Sequence, residues 1–247
     1  MTGTILQIRL GTMRLNKFLA HSGVASRRKC DDLIKMGQVK VNGEQTYNFG
    51  QRIQDDDCVT LNGQIINPIK ERIGYLFHKP KGVLSTVTDD RKRKTVMDFF
   101  DVDVRLFPVG RLDRDTTGVL LVTNDGDLAN HLTHPKYEVE KIYIAVTDKD
   151  VPKADYTNVK KGIRLDDGKL ARAVITRLEK LNKKYYWKIV LTEGKKREVK
   201  RIFAELGCKT LQLHRESFAD IRLGNLKPGK YRRLKKIEVE KLLNVGK

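Results

Sequence analysis

The chain has 247 residues, 39% of them hydrophobic, and carries 50 Lys and Arg against 31 Asp and Glu for a formal net charge of +19. That length admits one or two domains, and the absence of any run near ~18 consecutive apolar residues excludes a helix-spanning membrane protein. Three scattered cysteines (Cys30, Cys58, Cys208) argue for a reducing, cytoplasmic setting and against a disulfide framework or a thiolate zinc site.

Met1 to Thr12 has one Arg and no small-residue cleavage pattern, so it reads as an N-terminal extension over 1–12 and not as a signal peptide. A first module spans 13–72. Leu15, Phe18 and Leu19 repeat at helical spacing, and Gly23 interrupts them. Ser26 reads as the N-cap of a second helix from Arg27 to Met36, with Gly37 as its stop. Short strands follow at 38–41 and 58–61, each closed by an Asn-Gly turn (Asn42-Gly43, Asn62-Gly63). Such an α+β module of about 55 residues is small but able to fold alone.

The second domain, 73–247, reads as strands with a few helices on a mostly antiparallel sheet. Tyr75 to His78 runs into Lys79-Pro80-Lys81-Gly82, and Arg91-Lys92-Arg93-Lys94 is a charged loop. Val119 to Thr123 is a buried-strand candidate, after which Asp127 is expected to cap a short helix through Leu132. Strands are expected at 142–146, 171–178 and 185–192. A helix is expected over 196–206, with Val199, Ile202, Phe203 and Leu206 as its apolar face. A Pro228-Gly229 turn and a last helix near 235–243 complete the chain. The positive charge gathers here: residues 183–247 hold 19 Lys and Arg against 7 Asp and Glu, a net of +12. That imbalance points to a polyanion, nucleic acid ahead of an anionic membrane.

The densest polar stretch is Gly110-Arg111-Leu112-Asp113-Arg114-Asp115-Thr116-Thr117-Gly118. By itself it fits a self-neutralising surface turn as well as a site. A calcium loop would need Glu where Asn124 stands, and a helix where a strand follows. A magnesium-dependent phosphatase motif would sit at the end of a hydrophobic strand near the start of an α/β fold. His131 and His134 lack an obvious third ligand, and Trp187 fits a strand core. Glu140-Lys141-Ile142-Tyr143 opens a strand. Glu193-Gly194-Lys195-Lys196-Arg197-Glu198-Val199-Lys200-Arg201 enters the basic helix, where Lys200 lies about 100° from Val199 and so borders the apolar face while Arg201 points away. Lys200 can snorkel there or pair with a carboxylate in a cleft.

In this order, these segments resemble the RsuA/RluB-type pseudouridine synthases, which modify ribosomal RNA. The resemblance runs from Met13 to about Leu234, and the first module resembles the small RNA-binding domain of ribosomal protein S-four. It implies an α+β fold, a mostly antiparallel pseudouridine synthase domain behind the RNA-binding one. It implies Asp113 as the catalytic aspartate and Arg111 as the residue that replaces the flipped base. Tyr143 is implied as the tyrosine that packs on uracil and is a candidate base, and Lys200 as the basic partner of the aspartate. It also implies that no metal or organic cofactor is needed. His78 stands where Asn is common in the family, and Ala219 where Gly is, which bears on subfamily and not on reaction type.

The expected reaction is site-specific isomerisation of uridine to pseudouridine in ribosomal RNA, 23S slightly favoured over 16S, by a monomer whose partners are ribosomal RNA or ribosomal assembly intermediates and not a membrane. A carboxylate can act as nucleophile at the sugar or remove a proton. Burial alone raises an Asp pKa and a nearby cation lowers it, a reason to prefer Lys200 beside Asp113 to snorkelling. Flipping a uridine out of folded RNA costs a few kcal/mol. Phosphate contacts from Arg27, Arg28, Lys35, Lys196, Arg197, Arg201 and Arg215 are expected to offset that cost. The rival reading is a non-catalytic RNA-binding ribosome assembly factor, which would lack one of Asp113, Tyr143 or Lys200. All three are present.

Overall fold

A computed structural model describes residues 12–69 and 71–246, which divide into two units between Arg72 and Ile73. The extension expected over 1–12 lies outside the described residues except for Thr12.

In the N-terminal unit, α1 (Leu15–His21) and α2 (Arg27–Lys35) put Leu15, Phe18, Leu19, Cys30 and Ile34 into one core with Val39, Val41 and Val59. The Ser26 hydroxyl accepts from the Lys29 backbone N–H at 3.2 Å, the cap that its sequence position predicts. Strands β1 (Val39–Val41), β2 (Glu44–Gln45), β3 (Val59–Leu61) and β4 (Gln64–Ile65) form a sheet in the order β2-β1-β3-β4. The two hairpins turn at Asn42-Gly43 and Asn62-Gly63, where all four residues have positive φ. That is the turn whose twist matches the flanking strands, and Asn-Gly tolerates it well.

The C-terminal unit is built on a nine-stranded sheet. Its path runs through β5 (Gly74–Lys79), β6 (Thr117–Thr123), β7 (Lys141–Thr147), β8 (Val174–Leu181), β9 (Lys184–Leu191), β10 (Thr210–Phe218) and β11 (Tyr231–Arg233). The order is β8-β9-β7-β10-β6-β5-β11. Neighbours are antiparallel except β6 and β10, which run parallel with His214 opposite Thr117 and Arg215 opposite Gly118. Both faces are covered. Leu120 and Val122 point to a core shared with Val159, Val199, Ile202 and Phe203, while Val119 and Leu121 point to one shared with Leu128, Leu132 and Leu242. A strand buried on both sides needs the continuous apolar run that 119–122 shows.

The helices are α3 (Gly126–Thr133), α4 (Lys153–Lys161), α5 (Glu198–Glu205) and α6 (Lys236–Asn244). Two boundaries differ from expectation. Asp125, not Asp127, caps α3, because its carboxylate accepts the N–H groups of Asp127 and Leu128. Helix α5 starts at Glu198, not at 196, because Arg197 holds a left-handed conformation (φ 52°). The strand expected over 171–178 is split. Leu170–Ala171 pairs with Ile163–Arg164, and β8 begins at Val174 after the Ala173 N–H has bonded to the Val159 carbonyl. Trp187 is fully buried and donates its indole N–H to the Thr147 hydroxyl at 2.8 Å, as a core residue should. Among the described residues no helix is long and apolar enough to cross a membrane.

Candidate active site

The polar stretch 110–118 is a loop that enters β6, and the segment following β5 fixes its shape. Lys79 is fully buried, and its ammonium donates to the carbonyls of Pro80 (3.1 Å), Arg114 (3.1 Å) and Thr116 (2.9 Å). The Ser85 hydroxyl donates to the Leu112 carbonyl and accepts the Leu112 N–H, and the Gly82 N–H donates to the Arg114 carbonyl. The loop closes on itself where the Thr116 N–H meets the Asp113 carbonyl at 3.0 Å. Together these bonds satisfy backbone groups that a tight loop would otherwise leave unpaired. Burial holds the Lys79 amine down to about 8, against the opposing pull of Asp115 and Asp113.

Gly118 ends the loop because nothing larger fits. It has φ +113°, and a Cβ there would meet the Arg215 carbonyl oxygen at 2.2 Å. The parallel join of β6 to β10 therefore requires a bare backbone at this position.

The loop presents Asp113 to a cavity of about 700 Å³, within the usual range for small-molecule sites. Arg111 and Asp113 line it from the loop, Tyr143 and Lys141 from β7, Arg215 from β10, and the 192–199 segment closes it. Lys200 on α5 reaches Asp113 with Nζ 3.5 Å from Oδ2. Both side chains are partly shielded, at 17% and 30% exposure. Tyr143 is buried and stands opposite Arg215 across the β7–β10 pair. Asp113, Arg111 and Tyr143 thus share one cavity, and Lys200 joins it through Asp113.

The other cations expected at RNA fall into two classes. Arg27, Arg28 and Lys35 are exposed on α2, and Lys196 and Arg197 are exposed ahead of α5. Two need correction. Arg215 is only 2% exposed, so it cannot lie along an RNA backbone on the surface; it belongs to the cavity wall. Arg201 does turn away from the apolar face of α5, but Asp166 and Asp167 engage its guanidinium, which is therefore not an open phosphate contact. The His131 ring packs tilted against Tyr137 with centroids 4.1 Å apart, and the His134 ring accepts the Lys136 N–H at 3.2 Å.

Lys79 and Lys141 stand within motifs of the sequence that mark no role for either. Lys141 sits two residues before Tyr143 and so on the same strand face. Its ammonium donates to the carbonyls of Val139 (2.7 Å) and Thr192 (3.1 Å). Burial first, and then Arg215, bring its amine down to about 8, with Glu198 acting in the opposite sense. The alternation of 141 with 143 was the available signal.

Comparison with known proteins bears on both units. The family described as RNA pseudouridylate synthase matches residues 74–205, and the S4 domain matches residues 13–46. The chain is 42% identical over 232 residues to ribosomal large subunit pseudouridine synthase B of Bacillus subtilis (strain 168), covering 93% of this chain and 95% of that protein. It is 39% identical over 235 residues to an uncharacterized RNA pseudouridine synthase of Aquifex aeolicus, covering 93% of each. A crystal structure of a pseudouridylate synthase superposes with a TM-score of 0.67 at 30% identity, covering 93% of this chain and 99% of the other.

Proposed function

The chain belongs to the RNA pseudouridine synthase family, and on that premise we propose that it isomerises specific uridines of ribosomal RNA, 23S ahead of 16S, with Asp113 as the catalytic carboxylate. The observation that carries the reading is the Lys200–Asp113 pair, 3.5 Å apart, on a cavity that Tyr143 and Arg111 also line. The Bacillus subtilis relative is named for the large ribosomal subunit, which supports the preference for 23S.

The target uridine leaves the folded RNA and enters the cavity. Extrusion costs a few kcal/mol, which phosphate contacts offset. Arg111, exposed at the edge of the loop, fills the space that the base vacates. The Tyr143 ring offers a flat face on which uracil stacks. Asp113 then acts at the sugar, either by attacking the anomeric carbon or by taking the adjacent sugar proton. In both cases the bond from ribose to nitrogen 1 breaks, the uracil rotates, and its carbon 5 is joined to the sugar. The Lys200 ammonium, fixed on α5, orients the Asp113 carboxylate and balances its charge in a half-enclosed site. Exposed Arg27, Arg28 and Lys35, in the unit that matches the S4 domain, hold the RNA without reading the reacting base.

The experiment is site mapping. Unmodified 23S and 16S ribosomal RNA are incubated with the protein in EDTA, then mapped for pseudouridine. The reading predicts one or a few new pseudouridines in 23S, absent with Asp113→Asn. New pseudouridine in 16S alone would reverse the subunit preference, and none in either RNA would remove the reading.

A further inference from the structure

The charges around the cavity are not balanced evenly. Asp113 has Lys200, and Glu193 and Glu198 have Lys195. On the inner wall, beside Tyr143, two cations have no carboxylate within ion-pair distance among the described residues. Lys141 donates to two carbonyls and keeps a third N–H. Glu198 is close enough to influence it but accepts from the backbone and side chain of Lys195. Arg215 donates its Nε to the Val119 carbonyl at 2.7 Å and lies 4.8 Å over the Phe218 ring. Its Nη2 is buried with no hydrogen-bond partner.

An unpaired buried charge is costly, and a buried donor without an acceptor adds to that cost. Arg215, buried with an unpartnered N–H, and Lys141, half-buried and bonded only to neutral carbonyls, stand on one wall of one cavity and mark a place prepared for negative charge. RNA phosphates do not fit this position. The exposed cations that line the cavity, Arg111, Arg172 and Arg197, are where a continuous backbone would pass. Lys141 and Arg215 instead flank Tyr143, one along its strand and one directly across from it, where the base itself would sit.

We propose that Lys141 and Arg215 stabilise the negative charge that the uracil acquires when it detaches from the ribose. This rests on the isomerase reading above. Cleavage leaves the electron pair of the glycosidic bond on nitrogen 1, from which it spreads to the ring oxygens. The electron deficit at the anomeric carbon is met by the Asp113 carboxylate or by transfer of the adjacent sugar proton to it. Re-addition at carbon 5 returns the pair to a carbon–carbon bond and restores the sugar; the carbon-5 proton then leaves to water while nitrogen 1 takes one up, so the product is an isomer of the starting uridine. Between these events the ring is an anion that must turn without leaving. Two cations along one wall attract it in every orientation, which a fixed set of hydrogen bonds to one edge would not do.

The test is single-turnover conversion by Lys141→Gln, with Lys141→Arg and Arg215→Lys beside it and thermal melting to confirm folding. Two RNA substrates are used, one with uridine at the target and one with 5-fluorouridine, whose fluorine makes the ring anion more stable. Disappearance of the target nucleoside is followed in both. Lys141→Gln is expected to slow uridine cleavage roughly 100-fold with RNA Kd within about twofold of wild type. The loss should shrink to roughly tenfold or less on 5-fluorouridine, and Lys141→Arg should recover most of the rate. Equal losses on both substrates, a loss confined to Kd, or an unchanged rate would each overturn the proposal. If Arg215→Lys melts early, the Lys141 pair of variants decides. Wild type inactive on uridine would instead refute the parent reading, so the two failures are distinct.

Discussion

In the N-terminal unit Arg27, Arg28 and Lys35 stand exposed on one helix, whereas in the C-terminal unit Lys79 and Arg215 are buried and Lys141 is half-buried. The first set acts through water, is screened by salt, and meets any phosphate within reach. The second set acts at short range on chosen atoms. Lys79 binds three loop carbonyls, and Arg215 binds one strand carbonyl. On the proposed function, the net charge of +19 divides between two purposes: the exposed cations hold a polyanion, and the enclosed ones shape and polarise the site.

The largest expected effect comes from Gly118→Ala. The added methyl collides with the Arg215 backbone, and the position has positive φ. The β6–β10 join carries both the Asp113 loop and Arg215, so we expect a loss above about 4 kcal/mol, read as insoluble protein or a collapsed urea midpoint. A melt like that of wild type would show that the two strands can separate at no cost.

Next is Lys79→Met, which leaves three loop carbonyls without their donor. We expect about 2–4 kcal/mol of destabilisation and roughly 100-fold lower kcat, with RNA Kd nearly unchanged. The same group gives a pH signature. Its folded pKa of about 8 lies below the unfolded value of about 10.4. Between these values the unfolded chain binds more protons, so stability rises with pH across that window; below it the cost of this group is present in full and no longer changes with pH. Wild type should therefore gain on the order of 2–3 kcal/mol more than Lys79→Met from pH 8 to 10 by urea denaturation. Parallel curves for the two proteins would contradict the buried ammonium.

Smaller is the effect of neutralising Arg27, Arg28 and Lys35 together to Gln. RNA affinity should fall roughly tenfold at moderate salt. The slope of log K against log salt should become shallower by about 2, with single-turnover kcat intact. An unchanged slope would mean that α2 does not meet phosphate. The smallest effect is a control outside both sets. Ala219 is buried with φ 50°, and Ala219→Gly should raise stability by about 0.5 kcal/mol in a thermal melt without altering activity.

Much of this arrangement is legible in the sequence because its carriers are local. The Asn-Gly turns, the Ser26 cap and the continuous run 119–122 depend on near neighbours. Asp113, Tyr143 and Lys200 stand in motifs whose residue types resemble a known family. What is not legible depends on distant contact. Lys79 looks like one more cation in Lys-Pro-Lys-Gly until the 112–116 loop folds over it. Arg215 sits in an alternating strand, Leu213-His214-Arg215-Glu216, that reads as half-exposed, but β10 is central in the sheet with both faces covered. Arg201 is spoken for by Asp166 and Asp167, more than thirty residues earlier in the chain. The cap of α3 lies two residues before the expected one because Asp125 and Asp127 are equally plausible by type, and only the backbone at Asp125, extended with φ −92° and ψ 103°, separates them.

Under the proposed function Asp113 drives exchange of a nitrogen bond for a carbon bond on uridine. Forming the new bond must expel the hydrogen from carbon 5, so tritium release from ribosomal RNA carrying carbon-5-tritiated uridine reports it directly. With enzyme in excess and EDTA present, wild type should release tritium equal to the number of target uridines, and Asp113→Asn should be slower by at least about a thousandfold. Equal release by the two proteins, or none by wild type on 23S and 16S RNA alike, would contradict the account.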